Sequence, residues 1–379
     1  MRDLNILLIR LRLVGDVVFT TPALRALRRR FPSARLTYLV EDGAAPVLAG
    51  NPHLNDLIIV PRRRGLRRVW DDVMLARTLR RHTYDVVIDF HGGPRSSLLA
   101  WATRAPVRIG YTIAGRSWVY TRRVERPRDL RAARHSVENQ FDLLGPLGIT
   151  APDPSREPLE MAPDEAVDAM VRTKLRQAGA ESGCRIVLLH VSAGNRFRCW
   201  PLASFGEIIV RLAKSDGRTR FVITAGPSDR HAAEIVESEV VRRLGWNPVL
   251  GCGELSLAEL RALASRASLF IGGDSGPLHI AGTTGVPVVG LYGPTLPARS
   301  APWRDPRFTH EAIEIADLPC RPCDQRRCVP GDHRCLRWIT PEIVVAASER
   351  ALAAPRQAVA SGARGDHEAD SCRKPAPRA

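Results

Sequence analysis

A chain of 379 residues, 44% apolar and 25% charged, exceeds one ordinary core, so two domains are expected. A formal charge of +16 suits a solvated surface, an anionic lipid or glycolipid, or nucleic acid. The basic clusters at 62–68 and 122–134 lack interleaved aromatics and no nucleic-acid motif accompanies them, so a nucleic-acid partner is not expected.

Arg10, Arg12 and Asp16 interrupt the opening segment where a secretory signal would be apolar, and no run approaches the roughly 20 apolar residues that span a bilayer. The expected location is the cytoplasm. Residues 5–11, 35–40, 57–60 and 84–90 are short apolar runs suited to buried parallel strands, with helical spacing over 17–30, 69–81 and 137–147. The proline-rich stretch 151–163 marks a join. The pattern then restarts, with strands at 185–190, 220–224, 247–250, 268–271 and 286–292. Helices are expected at 202–213, 232–244 and 256–266, from Pro277, and at 341–353, the last packing back across the junction. Residues 355–379 are small and polar and are expected to be disordered. The alternation predicts an α/β fold of two doubly wound, Rossmann-like domains, 1–160 and 161–354, facing a central cleft.

The stretch SLFIGGDSGPLHIAGTTGVPVVGLYGPT, residues 268–295, carries the strongest functional signal. A strand breaks into a glycine-rich turn and then a helix, an arrangement that offers free N–H groups to a diphosphate. Asp274 and Ser275 can bind donor hydroxyls, a metal ion or backbone amides, Gly276 and Pro277 open the helix, and His279 reads as a packed histidine. Upstream, Arg198 precedes Trp200-Pro201 and a helix, where a guanidinium can neutralise phosphates. In the first half, Gly15 permits a tight turn and Asp16 sits at a helix start, either as a cap or as a catalytic carboxylate. His91 and Arg95, in DFHGGPRSS after the fourth strand, point to the same cleft and join Gly15 as acceptor-side candidates.

The pairing of LIRLRLVGDVVFTTPALRALRRRFP with FIGGDSGPLHIAGTTGVPVVGLYGPT resembles glycosyltransferase family 9, the lipopolysaccharide heptosyltransferases. The similarity extends through HSVENQFDLLGPLGI, RCWPLASFGEII and VITAGPSDR. The resemblance implies a GT-B fold with an N-terminal acceptor domain and a C-terminal donor domain. It implies inverting transfer of heptose from ADP-heptose to the lipopolysaccharide inner core (a lipid A–Kdo acceptor), with no cofactor needed for the chemistry. Asp16 then becomes the general base, Arg198 a phosphate contact, Ser192 a hydroxyl near the phosphates, and Asp274 to Leu278 the hold on sugar and pyrophosphate. An anionic glycolipid acceptor implies peripheral association with the inner face of the cytoplasmic membrane. Transfer from another nucleotide sugar and non-catalytic nucleotide or lipid binding are the alternative readings.

Cys320, Cys323, Cys328 and Cys335 stand in C-x2-C-x4-C-x6-C spacing, compatible with a structural zinc site or with reduced thiols.

Overall fold

The computed structural model describes residues 3–63, 65–126, 134–226 and 229–354. The tail at 355–379, with its expected disorder, and part of the basic cluster at 122–134 lie outside the described residues.

The first half builds one parallel sheet from β1 (Asn5–Ile9), β2 (Arg35–Glu41), β3 (Asp56–Val60), β4 (Val86–Asp89), β5 (Val107–Tyr111) and β6 (Arg122–Val124), in the order β3-β2-β1-β4-β5-β6. Its helices are α1 (Val14–Val18), α2 (Thr21–Arg30), α3 (Leu66–Arg81), α4 (Pro94–Ala102) and α5 (Ser136–Asp142). The second half builds another parallel sheet from β7 (Arg185–His190), β8 (Thr219–Thr224), β9 (Leu269–Gly273), β10 (Val288–Tyr292) and β11 (His310–Glu314), in the order β11-β10-β9-β7-β8. Its helices are α6 (Glu165–Gln177), α7 (Leu202–Ser215), α8 (Arg230–Leu244), α9 (Leu257–Arg266), α10 (Gly276–Gly282), α11 (Pro297–Ser300), α12 (Arg334–Arg337) and α13 (Pro341–Ala353).

Strands such as NILLI and LFIGG are apolar over their buried positions because both faces of each sheet are covered. Their alternate residues feed different cores. Leu7 and Ile9 enter a cluster confined to the first half, whereas Ile6 and Leu8 share a cluster with Leu188 and Phe270 of the second. The inner layers of the two halves therefore merge into one apolar body.

The helix expected over 17–30 is two helices: Phe19 ends the first, Thr20 precedes the second, and Pro22 sits in the second's first turn, where its missing N–H costs nothing. No strand forms at 247–250; Val249 makes only an isolated bridge to Phe221. Helix α13 lies against α7, β9, β10 and β11, within the second half, instead of packing back across the junction. The bridging is done by the proline-rich join: Leu159 N–H donates to Trp303 O at 2.9 Å, Trp303 Nε1 donates to Glu157 O at 3.0 Å, and Glu160 N–H donates to Thr21 Oγ1 at 2.9 Å.

Strand order decides where chemistry can sit. In each sheet the chain first adds strands on one side and then crosses to the other, between β1 and β4 and between β7 and β9. Loops at the carboxyl ends of those two pairs diverge and leave a crevice.

Candidate active site

A cavity of about 1410 Å³ lies between the halves, lined by Gly15 and Asp16 from one and by Ser192, Arg198, Asp274, Ser275, Gly276 and Pro277 from the other. Residues 268–295 and the loop after β1 thus wall a single space, although more than 250 positions separate Asp16 from Asp274.

On the first half's side, the Arg10 guanidinium pairs with the Asp16 carboxylate and also donates to Phe90 O at 2.7 Å. Arg10 thereby ties the β1 loop to the β4 loop at the crevice. Leu13, just ahead of α1, has φ of 70° and is 66% exposed, a conformation uncommon for a bulky side chain. The turn expected of Gly15 is therefore made at Leu13, and Gly15 serves another purpose. A Cβ at position 15 would lie 2.7 Å from His279 Cδ2, and one at 276 would lie 3.1 Å from Val14 Cβ. Both glycines let α1 approach α10 across the junction. The His279 ring lies against Phe19 at 4.3 Å between centroids, the packed role expected of it.

On the donor side, Asp274 is 2% exposed. Arg198 Nη1 lies 3.1 Å from its Oδ2, Thr295 Oγ1 donates to Oδ2 at 2.7 Å, and His279 Nε2 lies 3.4 Å from Oδ1. Burial pushes the carboxyl up, but His279, Arg198 and Thr295 together outweigh it and hold it below the ordinary range. Asp274 thus anchors Arg198 through Oδ2 and lines the cavity, while its Oδ1 has no hydrogen-bond partner among the described residues. Ser275 caps α10 and its hydroxyl donates to Gly273 O at 3.1 Å. The first turn of α10, whose leading N–H groups have no carbonyl within the helix, lines the cavity at Ser275, Gly276 and Pro277. Leu278 is fully buried beneath it.

Ser192 is also occupied. Its Oγ accepts from Gly226 N–H at 2.6 Å and lies 3.4 Å from His190 Nε2. His190 Nδ1 in turn contacts Thr224 Oγ1 at 3.0 Å, and burial lowers the ring to about 4. This chain fixes the loops after β7 and β8, so Ser192 acts as a brace for the cavity wall.

Two acceptor-side candidates do not line the cavity. Arg95 is drawn to Glu41 and Asp72, each at 2.7 Å, and binds α4 to α3. His91 stands beside the crevice, lowered to about 4 by burial and then by Arg10 and Arg12.

The cysteine segment differs most from its expectation. Among the described residues no group of three or more His, Cys, Asp or Glu is arranged to hold a metal ion, so the four cysteines do not fit a zinc site. All four are free thiols, and Cys335 is pushed up to about 11 by burial and by its neighbours Cys323, Cys320 and Cys328. The segment instead closes the cavity wall at Pro322, Cys323, Asp324 and Gln325, with Cys323 N–H donating to Pro294 O at 3.2 Å. Gln325 Oε1 accepts from Arg198 Nε at 2.7 Å and from Asn195 Nδ2 at 3.1 Å. Sequence reasoning missed Arg10, Asn195, Thr295 and Gln325; none lies in a pattern that announces a role.

The chain is 28% identical over 345 residues to "Lipopolysaccharide heptosyltransferase 3" of Escherichia coli K12, covering 90% of this chain and 96% of the relative. The solved family 9 glycosyl transferase of Veillonella parvula superposes with a TM-score of 0.81 at 26% identity, covering 93% of this chain and 98% of the other. The E. coli heptosyltransferase WaaC, solved with ADP, superposes at 0.64 and 20% identity over 92% of this chain and all of the other, a likeness of fold. The two facing parallel-sheet domains are the GT-B architecture of such enzymes. With the profile of glycosyltransferase family 9 (heptosyltransferase) matching residues 73–332, a span that holds every donor-side wall of the cavity, this chain belongs to that family and is a glycosyltransferase.

Proposed function

We propose that the enzyme transfers heptose from ADP-heptose to the inner core of lipopolysaccharide, with inversion at the anomeric carbon and Asp16 as the general base. In this reading residues 1–160 bind the lipid A–Kdo acceptor, residues 161–354 bind the nucleotide sugar, and the protein works in the cytoplasm at the inner face of the membrane. The relatives named as lipopolysaccharide heptosyltransferases and the neighbour solved with ADP support the donor and acceptor classes. One observation carries the chemistry: the Asp16 carboxylate and the Arg198 and α10 wall line the same cavity from opposite halves.

The acceptor hydroxyl attacks the anomeric carbon from the face opposite ADP, and its proton passes to Asp16. The Arg10 guanidinium holds that carboxylate at the β1 edge. Positive charge grows on the sugar while negative charge grows on the departing diphosphate. Arg198, fixed by Asp274 and Gln325, and the leading N–H groups of α10 face that charge as preset dipoles. Asp16 lies ahead of the span matched by the family profile, so its role rests on where the fold brings it.

The test is a donor panel of ADP-heptose beside UDP-, GDP- and other ADP-sugars, supplied with core lipid. Consumption of ADP-heptose, with heptose recovered on the lipid, is the expected result; selective consumption of a different nucleotide sugar would replace the donor assignment.

A further inference from the structure

Three tryptophans of the first half are exposed on the α3–α4 side, two of them in contact. Trp101 on α4 and Trp118 in the short turn at Ser117–Val119 are 50% and 57% exposed, with ring centroids 5.8 Å apart and edge to face. Trp70 on the neighbouring α3 is 65% exposed, and Val73 and Met74 extend its face at helical spacing. Arg95, bonded to Asp72, keeps α3 and α4 side by side. Large apolar groups gathered like this on a surface mark a contact site.

The sequence that carries these tryptophans is strongly basic. Positions 62–126 hold fifteen arginines and no lysine against five carboxylates. The two carboxylates on α3 are neutralised, Asp71 by Arg63 and Asp72 by Arg95 and Arg68. Arg77 touches Met74, and Arg104, just past the end of α4, donates its N–H to Trp101 O; both are exposed. A two-fold pairing of this face with a second copy would set arginine against arginine. An anionic bilayer suits both features, because indole rings settle at headgroup depth while guanidinium groups meet lipid phosphates. No helix among the described residues is long and apolar enough to cross a membrane, which leaves surface contact as the mode.

One end of this surface adjoins the cleft. Helices α3 and α4 begin at the carboxyl ends of β3 and β4, the sheet edge that carries Asp16 and His91, so Trp70 lies toward that edge and Trp101 toward the far end of α4. We propose that the face formed by Trp70, Trp101, Trp118 and their flanking arginines docks on a bilayer of anionic phospholipid and holds the acceptor half of the cleft against it. This inference rests on the glycolipid-acceptor reading above and names the surface that reading needs.

The test is co-sedimentation of the full chain with vesicles of phosphatidylcholine alone and of equal parts phosphatidylcholine and phosphatidylglycerol. Binding to the anionic vesicles, none to the neutral ones, and a blue shift of tryptophan emission are expected. The pairs W101S/W118S and R77Q/R104Q should each weaken vesicle binding about ten-fold or more, with unchanged circular dichroism. Both pairs should keep wild-type turnover of ADP-heptose on a core oligosaccharide freed of its acyl chains. Wild-type vesicle binding by folded variants would overturn the docking surface, as would a wild-type chain that turns over that oligosaccharide yet ignores anionic vesicles. A dimer broken by W101S/W118S with vesicle binding intact would assign the face to a second copy instead. Absence of turnover with any donor would overturn the functional reading, and the vesicle result would stand apart from it.

Discussion

The amide oxygen of Gln325 accepts a hydrogen bond from Arg198 Nε at 2.7 Å, across 127 positions of sequence. With Asp274 on the other side, at 3.1 Å from Nη1, it leaves the Arg198 guanidinium little freedom except toward the cavity. A segment that reads as a metal-binding insertion thus contributes a positioning residue to the donor site.

Gln325→Ala is expected to raise KM for the nucleotide sugar with kcat less affected. A hydrogen bond to a charged group is worth about 1.5–3 kcal/mol, or about 10- to 100-fold, and the retained Asp274 contact favours the lower end. Steady-state kinetics with varied donor decide it, and an unchanged donor KM would remove Gln325 from the site.

Asp16→Asn removes the proton acceptor while leaving the side chain's shape. Loss of a general base lowers kcat by about 10²- to 10⁴-fold. Donor affinity, read by calorimetry with ADP, should stay near wild type because Asp16 belongs to the opposite wall. Near-normal turnover by this variant would refute the assignment.

Gly15→Ala should loosen the junction. The added methyl would meet His279 Cδ2 at 2.7 Å, and crowding of this kind costs about 1–3 kcal/mol. A lower Tm and lower turnover are expected together. Gly43→Ala is the control, since a Cβ there meets nothing within 4 Å; equal behaviour of the two variants would contradict the close-approach argument.

Acid should weaken the fold between pH 6.5 and about 4. Burial lowers His135 and His190 from the ordinary 6.5 to about 4. In that window the unfolded chain binds protons that the folded chain refuses, so stability falls as pH falls. At His135 the reason is visible: Nδ1 accepts from Val137 N–H at 3.1 Å while Nε2 donates to Ala301 O at 2.8 Å, so a second ring proton has no place. Asp274, held below the ordinary 3.8, adds stability that is present above that value and lost at still lower pH. Melting temperatures across this range should drop steeply, and His135→Gln should flatten the slope between pH 6.5 and about 4. A flat profile for the wild type would contradict the burial argument.

Much of the fold and part of the site were legible along the chain. Alternating apolar strands and helical patterns announce two parallel-sheet halves, because burial on both faces demands continuous Leu, Ile and Val runs such as NILLI and RIVLLH. Three strands escaped notice: the polar edge strands β6 (RRV) and β11 (HEAIE), which are half exposed, and the interior β5 (VRIGY), whose short run is broken by Arg108 and Gly110. The glycine-rich turn with Asp274 and the arginine before Trp200 stood out because their signals are local.

What only the folded chain decided is who pairs with whom. Arg95 and Arg198 are the same residue type beside similar turns, yet one is sequestered by Glu41 and Asp72 and the other lines the cavity. Gln325 and Asn195 gained their roles by meeting a guanidinium that distant strands carried to them. Sequence patterns record periodic burial, which each segment expresses alone. Ion pairs and hydrogen bonds between loops depend on strand order and on the angle at which the halves close, and these arise only when the whole chain packs.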